Sequence, residues 1–250
     1  MQTLYSAKLG LQAQQQRVNI IAANISNNNT VGYKGQRADF KEALSRELLN
    51  PADLQSNANL QEGCGILISG TPRNYRQGEP MRTGNRLDLY LEGQGYFTVS
   101  DGQGNPQYTR NGCFAVSNEQ DGCYLVTTQG QYVLDIQNNR IRLPENFSEL
   151  TVNTQGVLSV DGTTIAALNI VDFPNKDGLL SVGAGCYIES ETSGAAYTAD
   201  AAVIQGSLEA SNVDLTVELT RLIRAQRAFS LASRAVSAWD QMAADTNNLR

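Results

Sequence analysis

Two seven-residue apolar repeats, one at each end of the chain, restrict its fold more than any other feature. Near the N-terminus Leu4, Leu11, Val18 and Ile25 recur every seven residues, with Ala7, Gln14 and Ile21 as a companion row. Near the C-terminus Leu215, Leu222, Phe229, Val236 and Ala243 recur the same way, with Ala225, Ala232 and Trp239 beside them. A seam only two positions wide per heptad suits a helical partner better than a broad core. Neither Gly nor Pro interrupts 214–249, which predicts a helix about 50 Å long at 1.5 Å per residue. Ser211 or Asp214 is placed to cap its start, and Glu218 and Arg221 stand at i,i+3 on its surface. A helix of that length outruns any core this chain encloses. The two seams are therefore predicted to pair with each other as a coiled coil and to meet neighbouring copies along spare apolar edges at Leu9, Ile20, Leu219 and Ile223.

Between the ends the pattern changes. Short segments such as "RLDLYLEG", "GYFTVS", "YLVTTQGQYVLD" and "TTIAALNIVDF" are rich in β-branched and aromatic residues and are punctuated by Gly, Asn and Asp. They predict a body of local antiparallel hairpins. The stretch "FKEALSRELLN" reads as a short helix stopped by Pro51, followed by a Gln/Asn-rich run. The fold class expected is α+β. Residues 1–40 form the N-terminal helix, 41–85 an extended connector, 86–205 the β domain and 206–250 the C-terminal helix.

Charge and composition narrow the chemistry. The net charge is -6, which argues against nucleic acid as a partner. Residues 1–40 carry four bases and one acid, while 206–250 balance five against five, so the middle holds -9. The chain has no histidine, which removes histidine bases and histidine-ligated zinc. Cys64, Cys113, Cys123 and Cys186 form no CxxC pair. They read as small apolar strand residues, although Cys113 and Cys123 are near enough in sequence to oxidise across a hairpin. No cofactor, metal or catalytic residue is expected. The two "GQG" turns at Gly93 and Gly102 lack the helix and Lys-Ser/Thr of a phosphate loop. Asp88 and Glu92 read as a solvated strand end rather than a glycosidase pair, and Arg221, Arg224, Arg227 and Arg234 as a salt-bridged helix face. No window is apolar enough to span a membrane, and no cleaved signal is evident at the start.

The N-terminal stripe ends in "AANISNNNTVGYKGQ". Asparagine tolerates left-handed backbone and bonds to nearby main chain, and Gly32 is placed to take the conformation other residues avoid. This block, with Asn24, Asn27, Asn29, Thr30, Gly32, Tyr33 and Lys34, resembles the N-terminal signature of flagellar rod and hook proteins. "YTRNGCF", with Tyr108, Thr109, Arg110, Gly112 and Phe114, is similar to a motif of that family's β domain. "LEASNV" and "AQRAF" are similar to its C-terminal block. Ala23 departs from the common Asn, and Cys113 and Cys123 are unusual in the hairpin region.

The resemblance implies a structural subunit, most like the distal-rod type with the proximal-rod type as runner-up. It implies a helical polymer forming a hollow, torque-transmitting shaft, with terminal helices inside and β domains outside. The implied place is the basal body, in the periplasm or cell-wall zone, reached unfolded through type III export without signal cleavage. Implied partners are further copies, other rod and hook proteins, the export apparatus and ring proteins, with no membrane insertion. Leu4, Leu11, Val18, Ile21, Ile25, Leu215, Leu222, Phe229, Val236 and Trp239 are the expected assembly contacts. A secreted β-rich adhesin or enzyme with a helical stalk is the alternative in another functional class.

Overall fold

The computed structural model describes residues 2–43, 46–47, 61–62, 65–144 and 149–248. The chain divides into two compact units. One comprises Met1–Ser26, Gln36–Asn74 and Asp214–Arg250, and the other Asn27–Gly35 and Tyr75–Val213. The architecture is α+β, with a helix at each end and a β-rich middle.

The first unit holds both helices, α1 (Gln2–Ser26) and α2 (Leu215–Asn248), which pack on each other. Asp214 rather than Ser211 caps α2: its Oδ1 accepts the backbone N–H groups of Thr216 and Val217 at 2.9 and 3.2 Å, satisfying donors that a helix start leaves open. The unit also contains β1 (Asp39–Glu42), β2 (Arg46–Glu47), β3 (Gln61–Glu62) and β4 (Ile66–Gly70). Among the described residues the helix expected from Phe40 is replaced by strand. Phe40, Lys41 and Glu42 instead pair antiparallel with Ile68, Leu67 and Ile66, and Arg46 and Glu47 pair with Glu62 and Gln61. The apolar run at 66–68 supplies a ladder partner, and long-range pairing overrides a weak local helix preference. The Arg17 guanidinium lies over the Phe40 ring at 5.8 Å, which further holds β1 in place. Pro51 and the Gln/Asn-rich run lie outside the described residues.

The second unit is built from short strands. They are β5 (Pro80–Arg82), β6 (Leu89–Glu92), β7 (Tyr96–Ser100), β8 (Pro106–Thr109), β9 (Phe114–Glu119) and β10 (Gly122–Thr127). Next come β11 (Tyr132–Val133), β12 (Arg142–Leu143), β13 (Leu150–Val152), β14 (Val157–Val160) and β15 (Thr163–Ala167). The last are β16 (Ile170–Asp172), β17 (Leu180–Gly183), β18 (Cys186–Ile188), β19 (Tyr197–Thr198), β20 (Ala202–Gln205) and β21 (Ser207–Glu209). The main sheet runs β12-β10-β11-β7-β8-β18-β17. β13, β14 and β15 form a separate meander. β20 returns to β6 and β21 to β5, so the end of the unit closes on its beginning.

Two apolar cores result. One gathers Leu91, Phe97, Val99, Leu125, Ile141 and Leu158; the other is the aromatic group Tyr96, Tyr108, Phe173 and Tyr187. Edge-to-face ring pairs order both, including Phe97–Phe114 at 5.1 Å and Tyr108–Phe173 at 4.8 Å.

Two expectations change here. Asp88 is buried at 4% exposure and accepts a hydrogen bond from Asn85, so it is a turn anchor and not a solvated strand end. Cys123 faces Asn118 across the β9–β10 hairpin, while Cys113 bridges to Asp88. Both are free thiols, as is Cys186; Cys64 lies outside the described residues.

Candidate functional site

The asparagine-rich stop after α1 is a sequence of defined turns. Thr30 bonds back to Asn27 through both its N–H (3.1 Å) and its hydroxyl (3.2 Å), and the Tyr33 N–H donates to the Thr30 carbonyl. Gly32 has φ +67, and a Cβ there would lie 2.8 Å from the Arg110 carbonyl carbon. Its N–H donates to the Glu209 carbonyl at 2.8 Å. Only glycine tolerates both the left-handed backbone and this close approach.

The next residue but one enters the interior of the second unit. Lys34 is 1% exposed, and its Nζ sits 2.5 Å from Glu209 Oε1 while also donating to the Arg76 carbonyl at 2.9 Å. Arg110 reaches the same carboxylate from the other side: Nη1 lies 3.2 Å from Glu209 Oε2, and Nη2 donates to the Gly93 carbonyl at 2.8 Å. The Gly78 N–H completes the set by donating to Glu209 Oε1. Every charged head is thus paired and hydrogen-bonded, the condition under which burying charge is tolerable. Burial pushes the Lys34 ammonium below the usual lysine range, and the adjacent Glu209 carboxylate pulls it back up. Arg110 also lies 5.5 Å over the Tyr96 ring, linking the cluster to the aromatic core.

The other signature residues brace this arrangement. Thr109 Oγ1 donates to the Gly185 carbonyl and accepts the Asn111 N–H. A Cβ on Gly112 would meet the Leu89 carbonyl oxygen at 1.8 Å, so strand backbone passes directly over it. Tyr108 and Phe114 are core rings. Asn212, from the "SNV" phrase, accepts the Gly35 N–H and donates to the Arg76 carbonyl. Tyr33 is half-buried and Asn29 is exposed.

In the first unit Asn24 is 3% exposed and clamps Gln36, donating to its carbonyl at 2.7 Å and accepting its N–H at 2.9 Å. It also reaches Glu218 Oε2 on α2 at 3.4 Å. Glu218 is 5% exposed and paired with Arg221 at 2.5 Å; Arg224, Arg227 and Arg234 are exposed. Along α2, Ala225 is buried and Leu222, Phe229, Ala232 and Val236 are half-buried, whereas Leu215 and Trp239 are exposed. Along α1, Ile21 is buried and Leu11, Val18 and Ile25 are half-buried. The side chains of Leu4 and Ala243 lie outside the described residues.

Lys34 and Arg110 stand out in the sequence but their shared partner, Glu209, does not, and Glu218, expected on the helix surface beside Arg221, keeps that pairing but is buried. The available signals were modest: Glu209 is the lone acid in "GSLEASN", and Glu218 continues the Ala225–Ala232 row backward by one heptad. Among the described residues no group of three or more His, Cys, Asp or Glu is placed to hold a metal, and no helix is long and apolar enough to cross a membrane.

Comparison with known proteins follows the same segments. Residues 4–34 match the family described as flagella basal body rod protein. Residues 90–160 match the flagellar hook protein FlgE/F/G D1 domain, and 204–249 the flagellar basal body rod FlgEFG protein C-terminal family. The chain is 35% identical to the flagellar basal-body rod protein FlgG of Caulobacter vibrioides, with all of both chains aligned. It is 33% identical to FlgG of Bacillus subtilis and 32% to FlgG of Borreliella burgdorferi, covering the whole of this chain and 99% of each relative. Lys34, Arg110 and Glu209 come one from each of the three matched segments.

Proposed function

The chain belongs to the flagellar basal-body rod protein family, and from that premise we propose that it polymerises helically into the hollow shaft that transmits torque. It is a structural subunit of the rod, located in the flagellar basal body and assembling there with other flagellar proteins. Its relatives are structural proteins, not enzymes. Our reading places it in the distal rod, contacting further copies of itself, other rod and hook proteins and the ring proteins. It arrives through the type III export apparatus as an unfolded chain.

The observation that carries the reading is full-length similarity to FlgG proteins with all three family segments in order. Coiled-coil pairing of α1 with α2 is part of the proposal. It is supported by burial of the 222–225–229–232–236 row ahead of its neighbours on α2. Glu218 and Asn24 meeting inside that seam fit a polar pair that fixes register, a known use of buried polar groups between helices.

The test is the double variant Leu222→Glu, Phe229→Glu. Cells producing it should export a subunit whose β-rich unit gives an unaltered near-ultraviolet tyrosine spectrum, yet build no rod and fail to swim. Normal rods and motility in that strain would overturn the proposal.

A further inference from the structure

The second unit carries a groove that the structural role does not use. It measures about 530 Å³, and Tyr75, Pro174 and Tyr197 line it together with Asp172, Lys176 and Asp177. That size falls within the range of small-molecule sites. Tyr197, on β19, is 50% exposed, Pro174 is exposed and Tyr75 is half-buried, so apolar ring surface is open to solvent here. Lys176 and Asp177 belong to a single 3-10 turn that follows β16.

Asp172 supplies an independent observation. It is 3% exposed. Its Oδ2 lies 3.1 Å from Lys176 Nζ and accepts the Tyr197 hydroxyl at 3.3 Å. Its Oδ1 is buried and finds no donor among the described residues. An ionised carboxylate has about four acceptor sites, and a buried acceptor left unmade is costly. The groove is therefore short of a donor. The terminal torsion of an Asp side chain is soft, so a small turn presents Oδ1 to a donor that enters.

The charges in the lining say what kind of donor fits. Arg76 and Lys176 balance Asp172 and Asp177. A cation at Oδ1 would meet Lys176, which already sits beside the same carboxylate. An anion would meet the unsatisfied oxygen itself. A neutral donor meets neither repulsion. β16, which carries Asp172, is paired on one edge with β7 and on the other with β19, so no open ladder receives a peptide strand beside it. A neutral ring with hydroxyl donors at its rim and an apolar C–H face matches both the orphaned oxygen and the tyrosine surface.

We propose that this groove binds a neutral sugar ring, with one hydroxyl donating to Asp172 Oδ1 and one C–H face resting on Tyr197. No bond is made or broken. The site lies within the second unit and does not depend on polymerisation.

The test titrates the full chain, kept dilute enough to remain monomeric, and follows saturation transfer by NMR. The probes are glucose, N-acetylglucosamine and cellotetraose, with glucosamine and glucuronate as charged controls. Transfer to the neutral sugars is expected, with little to either charged control. A stronger response from the tetramer than from glucose points to a glycan chain as the source of the ring, and an equal response to a free sugar; both uphold the site. Asp172→Asn should weaken binding about tenfold or more. Tyr197→Ala alters an exposed side chain, should leave the circular dichroism unchanged, and should weaken binding about three- to tenfold. If Asp172→Asn does not fold, Tyr197→Ala decides. No transfer to any neutral sugar, equal transfer to a charged control, or undiminished binding in either folded variant overturns the proposal.

Discussion

Glu209→Gln tests the buried cluster most directly. The substitution keeps the shape of the side chain and removes its charge. Lys34 and Arg110, at 1% and 6% exposure, then face a neutral amide. Two buried cations remain with no counter-charge, sharing one amide oxygen, the carbonyls of Arg76 and Gly93 and, for Arg110, the Tyr96 ring. Breaking a buried pair by removing one partner costs about 3–5 kcal/mol, and the loss here falls at the upper end because one carboxylate serves both cations. Lys34→Met is milder. Glu209 then keeps Arg110 at 3.2 Å and the Gly78 N–H at 2.8 Å, and the Arg76 carbonyl keeps the Asn212 amide, so about 2 kcal/mol is expected, near the cost of one lost charged hydrogen bond. The double variant should cost less than the two singles added, since it leaves only one unpaired cation. Urea unfolding of the full chain, followed by near-ultraviolet tyrosine circular dichroism, reads the second unit; fluorescence of Trp239, the single tryptophan, reads the first. A Glu209→Gln cost below about 1 kcal/mol, within the range of an exposed ion pair, or a larger cost for Lys34→Met, would refute the reasoning.

Gly32→Val combines a left-handed backbone position with a Cβ 2.8 Å from main-chain atoms of Arg110. The backbone strain alone should cost about 1–3 kcal/mol, seen as a lowered urea midpoint for the second unit and as lost assembly. The pH response has a worked sign. Burial holds the Tyr96 hydroxyl well above its ordinary value of 10.0, and burial also raises Tyr108. The folded state keeps these protons after the unfolded chain has lost them, so stability is whole below 10.0 and falls as pH rises above it. Lys34 acts in the opposite sense between its lowered value and 10.5, and ceases to contribute above 10.5. Unfolding titrated from about pH 8 to pH 12 should show a steepening loss, reduced in Tyr96→Phe; an unchanged slope in that variant counts against the assignment.

The two terminal helices were legible because their repeats are long, and heptad spacing survives without knowledge of what it touches. The β-rich middle was legible for a similar reason: turn residues and β-branched runs act locally. Gly32's left-handed turn was readable from "NNNTVG" alone, since the chemistry of Asn and Gly dictates it within a few residues. The strand at 39–42 was not readable. Its partner, Ile66–Gly70, lies some way along the chain, and only the formed ladder outweighs the helix preference of "FKEAL". The same holds for Glu209. Lys34 and Arg110 stood out by sequence, but no local pattern says that a carboxylate 175 residues from Lys34 belongs between them. Short-range preferences are written in neighbouring residues and can be read there. A buried charge is acceptable only where its partners converge, and that convergence exists only once the chain has closed on itself.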